Sequence, residues 1–455
     1  MDKKSDRNLS QQEVPISQDT SGVAANEYQT GGWNAHWIVI VTSILCVVCF
    51  MDGNVLGVVL QPMKVDLGLS DSEVGFVQTV QALSVALFAY PVSYLIDRWS
   101  RKKMVALMAI FWSIFTFTTG LSKNYAGVLS SRMFVGAGEA AYSTGGTVMI
   151  TAAYPTEKRG RMLGIFNAAI PIGVTLGVVA GGVLSANYGW RTPFFVFAPI
   201  GIVFGLVALF LKDYKTVKQS NIAPGIGFFG SIGYLLKVRT LPWYYLGRGL
   251  MTLMTMATVW LPALMMRQAG IKEDIASYFL GGSVAFAVVG SLVGGRVGDT
   301  WVKKNPRSRL MLPVIIYFSC SLLQVAAVLM LMSTAQGSGV FTAGFIAFAV
   351  MGAVGSFLYY AGLPTLTVAS QEVVTPDRRG IAWGAAILCM YLLGGAWSPL
   401  MVGGISDAMG GNAPGLAAGY MIVSAGGVLA AFCYYMSSRY FVQDSEKVKD
   451  IVIEG

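Results

Sequence analysis

The sequence predicts an all-α membrane protein of twelve transmembrane helices in two six-helix, pseudo-symmetric halves. Three observations carry that prediction: too little charge for a surface in water, twelve apolar runs of bilayer length, and a charged decad that recurs in each half. Of 455 residues, 55% are hydrophobic and 12% charged, about half the charge of an ordinary soluble domain. Most of this surface therefore meets lipid. The composition excludes disorder as the general state, and no nucleic-acid partner is expected although 32 Lys and Arg face 23 Asp and Glu.

In chain order, residues 1–32 are polar and rich in Ser and Gln, and read as a disordered cytoplasmic tail. They show none of the short basic start and apolar core of a signal peptide. The apolar runs follow at 37–61, 73–96, 104–121, 125–150, 162–186, 193–212, 243–266, 275–297, 310–332, 337–362, 380–404 and 415–440. Each is near the roughly 20 residues with which a helix crosses about 30 Å of hydrocarbon. Lipid offers no partner to free backbone groups, and runs this long are helices rather than barrel strands. The longest polar connection, 213–242, reads as a cytoplasmic linker between halves at 33–212 and 243–440, with a second tail at 441–455.

Loops on one side of the membrane carry nineteen Lys and Arg; those on the other carry five, Lys64, Lys123, Arg191, Arg267 and Lys272. Positive loops stay inside, so both termini are expected in the cytoplasm of a multi-pass protein of the cell membrane, inner or plasma. The bias absorbs the whole positive balance. A monomer surrounded by membrane lipid is expected.

Cys46, Cys49, Cys320, Cys389 and Cys433 all fall in apolar runs, where a thiol behaves as a small hydrophobe. The CxxC of Cys46 and Cys49 lacks the exposure of a redox pair. With His36 alone and no HExxH, GxSxG or GxxxxGKS pattern, zinc, serine-hydrolase and P-loop chemistry lack their parts. No enzyme and no cofactor are expected; the drive would be a proton gradient.

After the second run the chain reads Ser93-Tyr94-Leu95-Ile96-Asp97-Arg98-Trp99-Ser100-Arg101-Lys102, and after the eighth Gly295-Arg296-Val297-Gly298-Asp299-Thr300-Trp301-Val302-Lys303-Lys304. Asp, Trp and two bases recur at the same offsets. A parallel repeat of six-helix halves is an architecture of secondary transporters, with substrate held near midplane between the halves. Asp97, Arg98, Arg101 and Lys102 at a helix end can pair with one another and with a helix terminus of the other half, closing the cytoplasmic side.

From Trp37 to Tyr440 the chain resembles the major facilitator superfamily. The first decad is similar to that family's loop motif GxLaDrxGrK, with Ser93 and Ser100 where glycines are usual, and Gly173, Gly177, Gly181 and Gly182 are similar to its glycine-rich fifth helix. Arg132-Met133-Phe134-Val135-Gly136-Ala137-Gly138-Glu139-Ala140-Ala141-Tyr142-Ser143 resembles the fourth helix of the Spinster-like transporters and of the anion:cation symporters. The resemblance implies the major facilitator fold, and a gating role for Asp97 and its counterpart Asp299 in the outward-facing state.

Asp52 and Glu139 are the acids deep within apolar runs, Arg132 and Arg248 the bases. An ionisable group at that depth costs on the order of 3 kcal/mol or more, so each points to function. Asp52 lies near the end of an outward-running helix and Arg132 near the start of an inward-running one. At about 1.5 Å per residue both sit roughly 10–14 Å below the outer surface and can pair. Glu139 is two turns from Arg132 on the same face, with Ser143 a turn below. A carboxylate in such surroundings resists ionising, a guanidinium favours ionisation, and an arriving anion competes for the guanidinium, which links proton to anion. Asp52 and Glu139 are thus the expected proton-coupling acids and Arg132 a substrate-binding group; the resemblance implies the same roles. Where those branches commonly have Asp-Arg in the first helix, Gly53 follows Asp52 here.

Asn54, Gln78, Gln81, Tyr142, Ser143, Asn167, Arg248, Tyr359, Tyr360 and Tyr391 are the remaining polar candidates for the cavity lining. Interhelical hydrogen bonding is the competing role for the uncharged ones, and snorkelling to the interface for Arg248. The leading expectation is a proton-coupled secondary transporter of a small or amphipathic, lipid-like organic anion working by alternating access. A Spinster-like lysolipid or sphingolipid exporter stands beside it. A drug efflux antiporter is disfavoured by Arg132, and a membrane-embedded enzyme by the lack of a nucleophile or metal cluster.

Overall fold

A computed structural model describes residues 32–140, 142–154, 156–212, 228–375 and 379–448. Residues 1–31 of the expected first tail, 213–227 of the linker and 449–455 of the second tail lie outside them, whereas the start of the expected second tail continues the last helix as far as Glu446. All regular structure among the described residues is helical. The first half holds α1 (Trp33–Leu67), α2 (Asp71–Arg98), α3 (Arg101–Leu121), α4 (Tyr125–Glu139), α5 (Tyr142–Ala153), α6 (Thr156–Tyr188) and α7 (Thr192–Ala208). After a short α8 (Phe228–Lys237), the second half holds α9 (Thr240–Met256), α10 (Leu261–Ala269), α11 (Glu273–Val302), α12 (Ser308–Met332), α13 (Ala343–Glu372), α14 (Arg379–Met390), α15 (Ser398–Ala408), α16 (Ala413–Ser424) and α17 (Gly426–Glu446). Among the described residues, ten helical stretches are long and apolar enough to cross a membrane. The broken pair α4–α5 and the shorter α7 supply the other two of twelve.

Polar residues cap the starts of several helices. Ser70 and Glu73 close a capping box at the start of α2, Glu73 N–H donating to Ser70 Oγ at 3.1 Å and Ser70 N–H to Glu73 Oε2 at 2.8 Å. Asn124, Thr342 and Asn412 cap α4, α13 and α16 more simply, each side chain accepting the amide three residues on. Gly68 and Gly270, at φ 64° and 66°, end α1 and α10 in the left-handed conformation a glycine adopts without penalty. The seventh and eleventh crossings break where a proline removes an amide: a 3-10 turn, Ala257–Trp260, precedes Pro262, and a π turn, Tyr391–Gly395, precedes Pro399. Part of the expected 213–242 linker is helical, and α9 starts at Thr240 rather than 243.

The glycines of α6 act through close approach. A methyl at Gly173 would lie 2.5 Å from the Val47 carbonyl, and at Gly177 it would run into the Met51 carbonyl. Backbone contact between α6 and α1 thereby fixes the turn that carries Asp52. Gly177→Ala is expected to lower stability by about 1–3 kcal/mol through overpacking; an unchanged melting temperature in detergent would contradict this.

Apolar packing shows how the halves relate. One cluster joins them, combining Val55–Leu60 and Phe194 with Trp260, Leu264, Val402 and Leu416. It sits toward the end of the bundle where α1 stops and α2 starts, the far end. Two further clusters are private to the halves: Ile38–Cys46 with Met104–Trp112 in one, Leu241–Met254 with Leu310–Cys320 in the other. Between halves, α2 packs along α15 and α6 along α11. The halves are thus joined at the far end and packed separately toward the near end.

Candidate functional site

Where the halves join, a cavity of about 350 Å³ is lined by both. Asn54, Gly57 and Gln78 come from the first half; Thr255, Thr258, Pro262, Phe279, Ser283, Gln324, Phe348, Tyr359 and Tyr360 come from the second. The proline breaks reach it at Pro262 and Pro399. Its wall is mainly aliphatic and aromatic with a few hydrogen-bonding groups, the pattern of sites that hold largely apolar ligands.

The buried charges lie beside this cavity, not in its lining. Arg132 and Asp52, both essentially inaccessible, form an ion pair with Nη1 3.1 Å from Oδ1. Thr116 donates to the other oxygen of Asp52, and the guanidinium lies 4.6 Å above the Phe194 ring. Nε and Nη2 of Arg132 have no partner among the described residues. The depth arithmetic for this pair therefore describes a real contact. Glu139 is the last residue of α4 and accepts from Gln81 Nε2 at 3.1 Å, while its Oε1 is buried with no partner among the described residues. It lies within electrostatic reach of Tyr391 in the second half.

The other expected residues divide. Asn54, Tyr359 and Tyr360 line the cavity. Tyr142 does not: wholly buried, it donates to the Thr42 carbonyl and packs edge-on against Trp112, an interhelical staple. Asn167 and Tyr391 are also outside the lining, and the side chain of Ser143 lies outside the described residues. Arg248 is 3% exposed and so does not snorkel. Its Nη2 meets Met390 Sδ at 2.8 Å and its guanidinium lies 5.7 Å from the Trp383 ring.

Of the gating decads, Asp97 and Arg98 close α2, with side chains outside the description. Arg101 is buried at the start of α3, which Lys102 continues. Asp299 is held inside its own half: Arg309 donates to it at 2.8 Å and to Glu372 at 3.2 and 3.3 Å.

Sequence reasoning missed a second latch, at the far end. Asp71, wholly buried, accepts from Arg267 Nη1 and Nη2 at 2.7 and 2.6 Å, from Lys64 Nζ at 2.6 Å and from Ser406 Oγ at 2.6 Å. Across the same seam, Asp407 accepts from the backbone amides of Asp71 and Ser72 at 3.0 and 2.7 Å. Thr79 donates to the Ala396 carbonyl and Trp260 Nε1 to that of Pro399. Lys64 and Arg267 were two of five bases on the sparsely charged side, which was the available signal.

Two six-helix bundles, sealed to each other at one end and enclosing a cavity to which both contribute, are the architecture of a membrane transporter. The sequence profile of the Major Facilitator Superfamily matches residues 42–399, and the chain belongs to that family. It is 29% identical to Protein spinster homolog 1 of Xenopus tropicalis, over 92% of this chain and 83% of that protein. It is 25% identical to the Sphingosine-1-phosphate transporter SPNS2 of the same organism, over 90% and 83%. A crystal structure of a bacterial homolog of the human lysosomal transporter Spinster, inward-facing and unoccupied, superposes with a TM-score of 0.80 at 21% identity, covering 91% of this chain and 99% of that one. The likeness to the Spinster branch expected from the fourth helix is present along nearly the whole chain.

Proposed function

We propose that this protein is a proton-coupled transporter of a lipid-like organic anion, with Asp52 and Glu139 as proton-coupling acids and Arg132 as the charge that links them. The observation that carries the reading is the arrangement of an ion pair and an under-partnered carboxyl beside an apolar cavity. Glu139 has one donor and an unpartnered buried oxygen, and a buried carboxylate served so sparsely gains from taking up a proton. Asp52 holds Arg132 and has its own hydroxyl donor, so Glu139 is the acid freer to exchange. The apolar wall suits an alkyl chain better than a small sugar acid, which would need more hydrogen-bonding groups. A relative named for carrying sphingosine-1-phosphate supports the same substrate class. The charge bias of the loops supports a cytoplasmic placement of the near end, which holds Trp33 and Glu446, in a cell membrane; in that orientation the latched end faces outward.

The test is proton movement. In proteoliposomes carrying a trapped pH-sensitive dye, sphingosine-1-phosphate is expected to drive proton flux through the wild type. Glu139→Gln is expected to lower that flux at least tenfold while exchange of labelled substrate continues. Undiminished substrate-driven proton flux in a well-folded Glu139→Gln protein would remove Glu139 from the coupling.

A further inference from the structure

Arg132 is neutralised by Asp52; Arg248 is not neutralised by anything comparable. Among the described residues no carboxylate lies within ion-pair distance of it, and its side chain is 97% removed from solvent. Its neighbours are the thioethers of Met390 at 2.8 Å and Met251 at 4.0 Å and the Trp383 ring, and its own Nε has no partner among the described residues. Sulfur is a weak acceptor and replaces little of a guanidinium's hydration. Tyr317 and Tyr434 already donate elsewhere, to the Tyr359 carbonyl and to Met251 Sδ. Tyr359 connects this centre to the cavity, lining the cavity wall on one side and lying within electrostatic reach of Arg248 on the other.

We propose that Arg248 is the anion-receiving group of the transporter: a negatively charged headgroup passes Tyr359 and pairs with its guanidinium, while the attached apolar chain stays in the cavity. The proposal rests on the transport reading above and adds which guanidinium takes the anion. It also fixes a charge balance. The charged and titratable groups around Glu139 are Asp52 and Cys49 of α1, Arg132 of its own helix and Tyr391. With Asp52 and Arg132 cancelling, two states leave the membrane interior neutral: empty with Glu139 ionised, and loaded with one monovalent anion and Glu139 protonated. One proton then accompanies one monovalent anion, and the cycle carries no net charge.

The experiment uses the full chain in lipid nanodiscs, with dodecyl phosphate and inorganic phosphate as probes and thermal stabilisation as readout. Dodecyl phosphate is expected to stabilise the wild type. Arg248→Gln should require at least tenfold more of it, and Arg248→Lys, which keeps the charge and guards against a folding failure of the first variant, should fall between. Inorganic phosphate stabilising the protein with the same dependence on Arg248 would support the anion site and assign it to a free anion rather than a headgroup. Wild-type responses in both variants would overturn the assignment of Arg248 alone. No response of the wild type to either probe would overturn it together with the transport reading.

Discussion

Asp71→Asn is expected to unlatch the far end and shift the protein toward the state open on that side. Asp71 is buried and holds two cations, one of them across the seam between halves, so losing its charge strands both. Removing one partner of a buried pair costs about 3–5 kcal/mol. Arg267 and Lys64 keep 10% and 19% of their exposure, which places the effect near the lower figure. A shift of about 3 kcal/mol changes the ratio of the two states on the order of a hundredfold. Spin labels on exposed far-end positions of the two halves should report a second, longer distance in Asp71→Asn that is scarce in the wild type; identical distance distributions would mean that the latch does not hold the halves.

The second large effect concerns the buried pair in the first half. Asp52→Asn keeps the shape of the side chain but leaves the Arg132 guanidinium unneutralised in a site where two of its nitrogens already lack partners. A stability loss of about 3–5 kcal/mol is expected, read as a lower melting temperature. The double variant Asp52→Leu with Arg132→Met separates structure from function. Replacing both ions with apolar groups is often neutral or stabilising, so this variant should melt near the wild type yet show no substrate-driven proton flux. A double variant that melts as low as Asp52→Asn would mean that the pair is structurally indispensable and that the energetic argument is wrong.

Hydropathy made the crossings legible because lipid imposes one rule, satisfied backbone groups within an apolar segment, on every span. The Asp52–Arg132 contact was legible too, since helix rise converts sequence position into depth. The breaks at Tyr391–Gly395 and Ala257–Trp260 were not, although Pro399 and Pro262 stood in the sequence, because a proline alone does not say whether a helix will kink, tighten or widen. The Asp71 latch was hidden for a different reason: its partners in the other half lie 196 and 335 residues away, and one-dimensional patterns rank charges by depth without choosing partners. Arg248 was visible as an embedded base, but apart from those on its own helix, such as Met251, the sulfur and aromatic groups around it are set by the packing of four others, α12, α13, α14 and α17.

The start of α2 is fastened twice, by its own Ser70 and Glu73 and by Asp407 reaching from the opposite half. When the halves part, water takes over from Asp407 while the intrinsic fastening stays in place, so the first turn does not melt. The docking socket therefore survives each stroke ready-made, and resealing becomes a rigid mating of finished surfaces that waits on no local refolding.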